Sequence, residues 1–88
     1  MTEAVIDIQP TPNPNAAKFT LDRVVSPQGR TYKDPAAADA EWAKRILTIP
    51  GVMQVFTVNN FISITKSPQI SWEELVPQVS QVLNESFT

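Results

Sequence analysis

The sequence predicts a two-layer α+β fold, an antiparallel β-sheet with two helices packed on one face, in the order β-β-β-α-β-β-α. Three observations carry this expectation. Two runs rich in β-branched and aromatic residues, 52–58 and 61–66, flank Asn59-Asn60, and asparagine tolerates the positive φ that a two-residue hairpin turn demands. Two helix-start signals, Asp34-Pro35 and Ser71-Trp72-Glu73-Glu74, precede stretches whose apolar residues recur every three to four positions. Each stretch has a single apolar stripe, so one face of a sheet can cover both.

Taken in order, residues 4–9 suit a short strand with Ile6 and Ile8 on one face, opposite Val5, Asp7 and Gln9. Pro10 ends it. In Thr11-Pro12-Asn13-Pro14-Asn15-Ala16 the alternating prolines, Pro10 included, withhold backbone donors and hold the intervening residues extended, which makes a stiff loop. Residues 17–21 return as a strand with Phe19 and Leu21 facing inward. Val24-Val25 and Thr31-Tyr32 flank Ser26-Pro27-Gln28-Gly29, a type I turn pattern, and predict a second, smaller hairpin.

Asp34-Pro35 opens the first helix as an N-cap acceptor followed by proline at the first helical position. Ala38, Trp42, Ala43, Ile46 and Leu47 form its packing stripe, with Glu41, Lys44 and Arg45 opposite. Pro50-Gly51 stops it. In the hairpin that follows, pairing Val58 with Phe61 puts Met53, Val55, Thr57, Ile62 and Ile64 on the core face. Gln54, Phe56, Val58, Phe61, Ser63 and Thr65 take the other. Ser71 and Glu74 form a capping box for the last helix, with Ile70 and Leu75 as a hydrophobic staple. Trp72, Leu75, Val76, Val79, Val82 and Leu83 make its apolar stripe, and Pro77 removes one backbone hydrogen bond inside it.

Eighty-eight residues make one small domain, with room for one core. Cysteine and histidine are both absent, which is the most restrictive feature of the composition. Disulfides, thiolate nucleophiles, zinc fingers, cysteine-ligated iron-sulfur clusters and the usual Ser-His or Cys-His machinery are all excluded for these residues alone. A formal charge of −2 leaves no electrostatic footprint for nucleic acid or anionic membrane. Met1-Thr2-Glu3-Ala4 has no basic region followed by an apolar run, and no stretch reaches membrane-spanning length, so a cytoplasmic location is expected.

Two regions are candidate contact sites. The loop Thr11, Pro12, Asn13, Pro14, Asn15 presents two carboxamides on a pre-stiffened backbone that loses little entropy on binding; alternatively the asparagines satisfy local backbone groups and the loop is a connector. Phe56, Val58 and Phe61 form a docking patch on one reading and are covered or ordinary surface on the other. The carboxylates Asp34, Asp39, Glu41, Glu73 and Glu74 are better explained by capping and first-turn preference than by metal binding. Trp42 and Trp72 are expected in the core, and Lys44-Arg45 on a solvated helix C-terminus.

Thr11-Pro12-Asn13-Pro14-Asn15-Ala16 through Lys18-Phe19, Ile49-Pro50-Gly51-Val52 with Val55-Phe56, Phe61-Ile62-Ser63-Ile64-Thr65-Lys66 and Trp72-Glu73-Glu74-Leu75 together resemble the N-terminal domain of Nfu/NifU-type iron-sulfur cluster scaffold proteins. The likeness covers roughly residues 8–83, so residues 1–88 are expected to form a single Nfu/NifU N-terminal-like domain, occurring here as a stand-alone domain. The resemblance implies an antiparallel α+β fold and a setting in iron-sulfur cluster assembly. In full-length members a separate C-terminal domain supplies a Cys-x-x-Cys pair for the cluster, and no such pair is present in these residues.

The expected role is therefore non-catalytic protein interaction, docking onto assembly factors or client apoproteins, as a monomer or weak homodimer, with neither nucleic acid nor membrane as partner. No cofactor is expected on this chain alone, and an iron-sulfur cluster only with a partner that supplies cysteines. The alternatives are an adaptor or regulatory module unrelated to iron-sulfur chemistry, and a small enzyme, for which no paired base and nucleophile is readable. A ferredoxin-like arrangement, resembling heavy-metal-associated domains over residues 46–83, is the second fold reading.

Overall fold

A computed structural model describes residues 4–87. The expectations for the chain start, and residues 1–3 and 88 of the single-domain reading, lie outside the described residues. Five strands, β1 (Val5–Pro10), β2 (Ala16–Leu21), β3 (Ser26–Tyr32), β4 (Val52–Asn59) and β5 (Phe61–Lys66), form one antiparallel sheet in the order β1-β2-β5-β4-β3. Two helices, α1 (Glu41–Leu47) and α2 (Trp72–Phe87), complete the predicted α+β architecture.

The central hairpin has the register read from the sequence. Val58 pairs with Phe61, and Asn59 takes the left-handed conformation at φ 56°. Val55, Thr57, Ile62 and Ile64 are fully buried with Phe19 and Leu21 of β2 against Ile46 of α1 and Leu75, Val79 and Leu83 of α2. The Thr57 hydroxyl, the one polar group in that row, donates to the Phe61 carbonyl at 2.9 Å. Gly51 has φ 98°, and a Cβ there would stand 2.8 Å from Ile70, so both conformation and space require glycine.

Three expectations for the sheet are corrected. Met53 is 58% exposed, because Val52 pairs with Lys66 and Gln54 with Thr65, leaving Met53 as the extra residue of a bulge while Val52 packs on the core. A second bulge in β1 places Val5 opposite Leu21 and Ile8 opposite Phe19, so Val5 and Ile8 share the inner face and Ile6 is 62% exposed. Residues 24–32 make no hairpin of their own. They give the single edge strand β3, in which Ser26 opposes Asn59 and Arg30 opposes Thr57, and Pro27 lacks only an amide that an edge strand can do without. The Ser26 hydroxyl, which donates to the Gln28 carbonyl at 2.7 Å, braces the irregular stretch between Ser26 and Arg30.

The first helix is also shorter than predicted. Asp34 caps Ala36 at 3.0 Å, yet only a 3₁₀ turn, Pro35–Ala37, follows. Ala38 is extended and buried, and the Asp39 carboxylate beyond it accepts from the Tyr32 hydroxyl at 2.9 Å and faces Arg30 at 3.4 Å. These tertiary contacts outweigh the helix propensity of the alanines. α1 then carries Glu41 in its first turn and Lys44 and Arg45 in its last. Arg45 is not merely solvated: it bridges to Glu85 of α2 at 2.6 Å. At the start of α2 the Glu74 amide donates to the Ser71 backbone carbonyl at 3.2 Å, in place of the predicted hydroxyl cap.

Candidate functional site

The loop between β1 and β2 is closed by its own side chains. Thr11 Oγ1 donates toward the carbonyls of Asn13 at 2.9 Å and Ala16 at 3.1 Å, and accepts from the Asn13 amide at 3.2 Å. Asn13 Oδ1 accepts from the Asn15 amide at 2.9 Å, and the Asn13 carbonyl accepts from Ala16 at 3.0 Å. Threonine and asparagine favour such short-range closures, and the prolines remove the competing donors. Pro12, Asn13 and Pro14 remain exposed, while Thr11 and Asn15 are half-buried.

Two residues outside the loop anchor it. Lys66 is 7% exposed, and its Nζ donates to Asn15 Oδ1 at 3.3 Å and to the Ser67 carbonyl at 3.2 Å while lying 5.6 Å from the centre of the Trp72 ring. The Trp72 indole N–H donates to the Pro14 carbonyl at 3.0 Å. The Lys66 amide adds a main-chain bond to the Asn15 carbonyl at 2.7 Å. Trp72 is therefore a half-buried clamp over the loop rather than a residue enclosed in the core, and Trp42 likewise sits at the core margin, between Tyr32 and Phe87.

Sequence reasoning missed Lys66. Its signal is the alternation Ile62, Ile64, Lys66, which carries a cation onto the inward face, where its three donors need acceptors. A tryptophan one residue past a helix cap likewise needs an acceptor for its indole N–H.

Phe56 and Phe61 lie on the sheet face away from the helices, on adjacent strands, both half-buried, with ring centres 6.3 Å apart and planes tilted by 49°. Lys18 Nζ stands 4.5 Å over the Phe61 ring. The structure thus keeps the loop and the aromatic pair apart, the loop at the end of the sheet beside α2 and the pair on the open face.

An iron-sulfur cluster needs thiolate or imidazole ligands, and the chain has neither. Among the described residues no group of three or more acidic side chains is placed to hold a metal ion. The donor set does not fit such a cluster. Among the described residues, no helix is long and apolar enough to cross a membrane.

Comparison with known proteins agrees with this architecture. The crystal structure of protein SAV1430 from Staphylococcus aureus superposes with a TM-score of 0.81 at 33% identity, covering 89% of this chain and 95% of that one. The solution structure of a NifU-like protein from Saccharomyces cerevisiae has the same fold, with a TM-score of 0.78 at 23% identity over 97% of this chain and 81% of that one. Conserved virulence factor C of Staphylococcus aureus is 30% identical over 83 residues, 93% of this chain; the chain spans only 22% of that relative's length. Residues 6–88 match the family described as scaffold protein Nfu/NifU N terminal. The chain belongs to the Nfu/NifU N-terminal domain family.

Proposed function

We propose that this chain is a non-catalytic docking domain in iron-sulfur cluster assembly, which contacts assembly factors or client apoproteins without itself ligating the cluster. The observation that carries the reading is a family membership drawn from cluster scaffolds in a chain with no thiolate or imidazole ligand. What is left to such a chain is surface recognition. Thr11, Pro12, Asn13, Pro14 and Asn15 offer a rigid contact loop, and Phe56 and Phe61 an apolar contact on the open face. On this reading the domain works in the cytoplasm as a monomer or weak homodimer, with residues 1–88 as its single unit. Any cluster it meets is held by cysteines of a partner.

Affinity capture of the chain from its native cell tests this. Recovery of cluster-assembly factors or iron-sulfur apoproteins is the expected result, and a partner set without either overturns it. A second check is reconstitution of tag-free protein with iron and sulfide. No stoichiometric brown chromophore should form, and one that survives desalting would end the proposal.

A second reading is an adaptor unrelated to iron-sulfur chemistry. One observation favours it: the curated relatives are named for virulence, and this chain matches only a fifth or so of their length. The same capture experiment then returns a coherent set of other proteins.

A further inference from the structure

The two edges of the sheet differ. β3 is interrupted by Pro27 and by the irregular pairing between Ser26 and Arg30. β1 is open along its second half. The Leu21 amide donates to the Asn60 carbonyl, on the β5 side, at 2.7 Å. Alternation along β2 then aims Phe19 and Ala17 at β5, and Thr20 and Lys18 at β1. Their partners Asp7 and Gln9 commit their main-chain groups to β2. Ile8, between them, turns both N–H and C=O outward, and Pro10 turns its carbonyl outward.

α2 runs beside this free edge. Asn84 Oδ1 accepts from the amides of Ala4 at 2.9 Å and Val5 at 3.1 Å, which fixes the far end of the helix to the start of β1. Glu73, Ser80 and Asn84 fall on one stripe of a 3.6-residue helix, so Glu73 stands on the same side, at the loop end. Two cavities lie between helix and strand and meet at Ile8. One, of about 440 Å³, is bordered by Val5, Asp7, Ser80 and Asn84. The other, of about 260 Å³, is bordered by Thr11, Pro14, Trp72 and Val76. Ile8 is 39% exposed where they join.

We infer that this trough binds an extended peptide segment of a partner protein, added as a sixth strand on β1, with an apolar side chain in the smaller cavity, a polar one in the larger cavity beside Ser80 and Asn84, and Lys or Arg at flanking positions. The inference rests on the docking reading and names its surface. Main-chain bonds to Ile8 and Pro10 supply the pairing, and the alternation of a strand delivers every second side chain to the cavities. The charge of the segment follows from the trough. Among the described residues no cation borders either cavity, and neither Glu73 on the helix side nor Asp7, which shares the open face with Thr20, makes an ion pair. A second copy of the chain fits poorly, because antiparallel pairing of two β1 edges brings the two Asp7 carboxylates together on the open face and the two Glu73 carboxylates toward each other on the helix side.

A display library of random short peptides, selected against the 88-residue chain, tests this without any presumed partner. Enriched peptides should carry an apolar residue and a polar one on the same face of the strand, with Lys or Arg beside them. Ile8→Pro removes the outward amide and the side chain at which the cavities join but spares the β2-facing bonds, which belong to its neighbours, and should weaken the enriched peptides at least about tenfold. Glu73→Lys, a surface change that leaves the fold intact, should weaken them about fivefold at low salt and less at high salt. Amide chemical shifts should move at Ile8, Val76 and the Trp72 indole. Peptides that bind Ile8→Pro and Glu73→Lys as well as the native chain, or that lose binding only in Phe61→Ala, overturn the trough while leaving a docking role in place. Failure to enrich any peptide also overturns the trough. Failure of the docking reading shows separately, in the partners captured from the native cell.

Discussion

The loop at residues 11–15 and the Phe56–Phe61 face are built by opposite means. In the loop nearly every strong polar group is engaged: one threonine hydroxyl, two asparagine carboxamide oxygens, the Lys66 ammonium and the Trp72 indole close it at distances of 2.9 to 3.3 Å. The aromatic face depends on two half-buried rings and one lysine, with no directional bond between them. Removal of one anchor leaves several groups unsatisfied in the first region and only some apolar area exposed in the second. The loop is thus a preformed surface with little ordering left to do, and the face is an adaptable one.

The largest expected contrast is between Trp72→Ala and Phe61→Ala. Trp72→Ala removes a large half-buried ring, leaves the Pro14 carbonyl without its donor and strips the cover from Lys66. It should cost about 3 kcal/mol, against about 1 kcal/mol for Phe61→Ala, where the side chain borders solvent. Urea unfolding with an unchanged slope measures both. Equal losses would erase the distinction drawn between the regions.

Thr11→Val is the next test. The isosteric change keeps the packing and deletes the hydroxyl that serves Asn13 and Ala16, so a loss of about 1–2 kcal/mol is expected. Asn13→Ala with Asn15→Ala should cost a similar amount by freeing the Asn15 amide and leaving the Lys66 ammonium with the Ser67 carbonyl but without its Asn15 acceptor. Thermal melts measure the loss. Were both variants as stable as the native chain, the hydrogen bonds would not be what holds the loop.

Much of this contrast was legible before the fold was known, and what was not has a physical cause. Asn59-Asn60 and the alternation of Ile62 and Ile64 sufficed for the central register, because a slip by one residue would expose the whole inner row. The bulges at Met53 and Ile6 were not readable, since each is an extra residue that strict alternation cannot anticipate. Ser26-Pro27-Gln28-Gly29 has the composition of a turn but forms an irregular stretch of β3. Its flanks pair with β4 rather than with each other, a choice set by the sheet and not by the local sequence. The loop residues were singled out from their prolines and asparagines, whereas their anchors Lys66 and Trp72 lie 51 and 58 positions away in the chain.

Alkaline pH acts at a third place, the phenol of buried Tyr32. Burial first, and then the Asp39 carboxylate it donates to, raises the Tyr32 phenol above the usual value of about 10. A folded-state value above the unfolded one means that this stabilisation is complete below about pH 10 and is lost as pH rises through the folded-state value. Melting temperature should therefore fall above about pH 10, less steeply in Tyr32→Phe.

The smallest effect concerns Lys18. Its ammonium lies over the Phe61 ring at 4.5 Å on a face open to solvent, so Lys18→Met trades a weak cation–π contact for an apolar one of similar length. A change of no more than about 0.5 kcal/mol is expected, because exposed cation–π pairs contribute roughly 0.5–1 kcal/mol and the methionine recovers part of it. Differential melts at low and high salt should agree, since little of the contact is long-range Coulomb attraction. A loss as large as that of Thr11→Val would mean that Lys18 organises the open face as Lys66 organises the loop. The two regions would then differ in composition but not in how they are held.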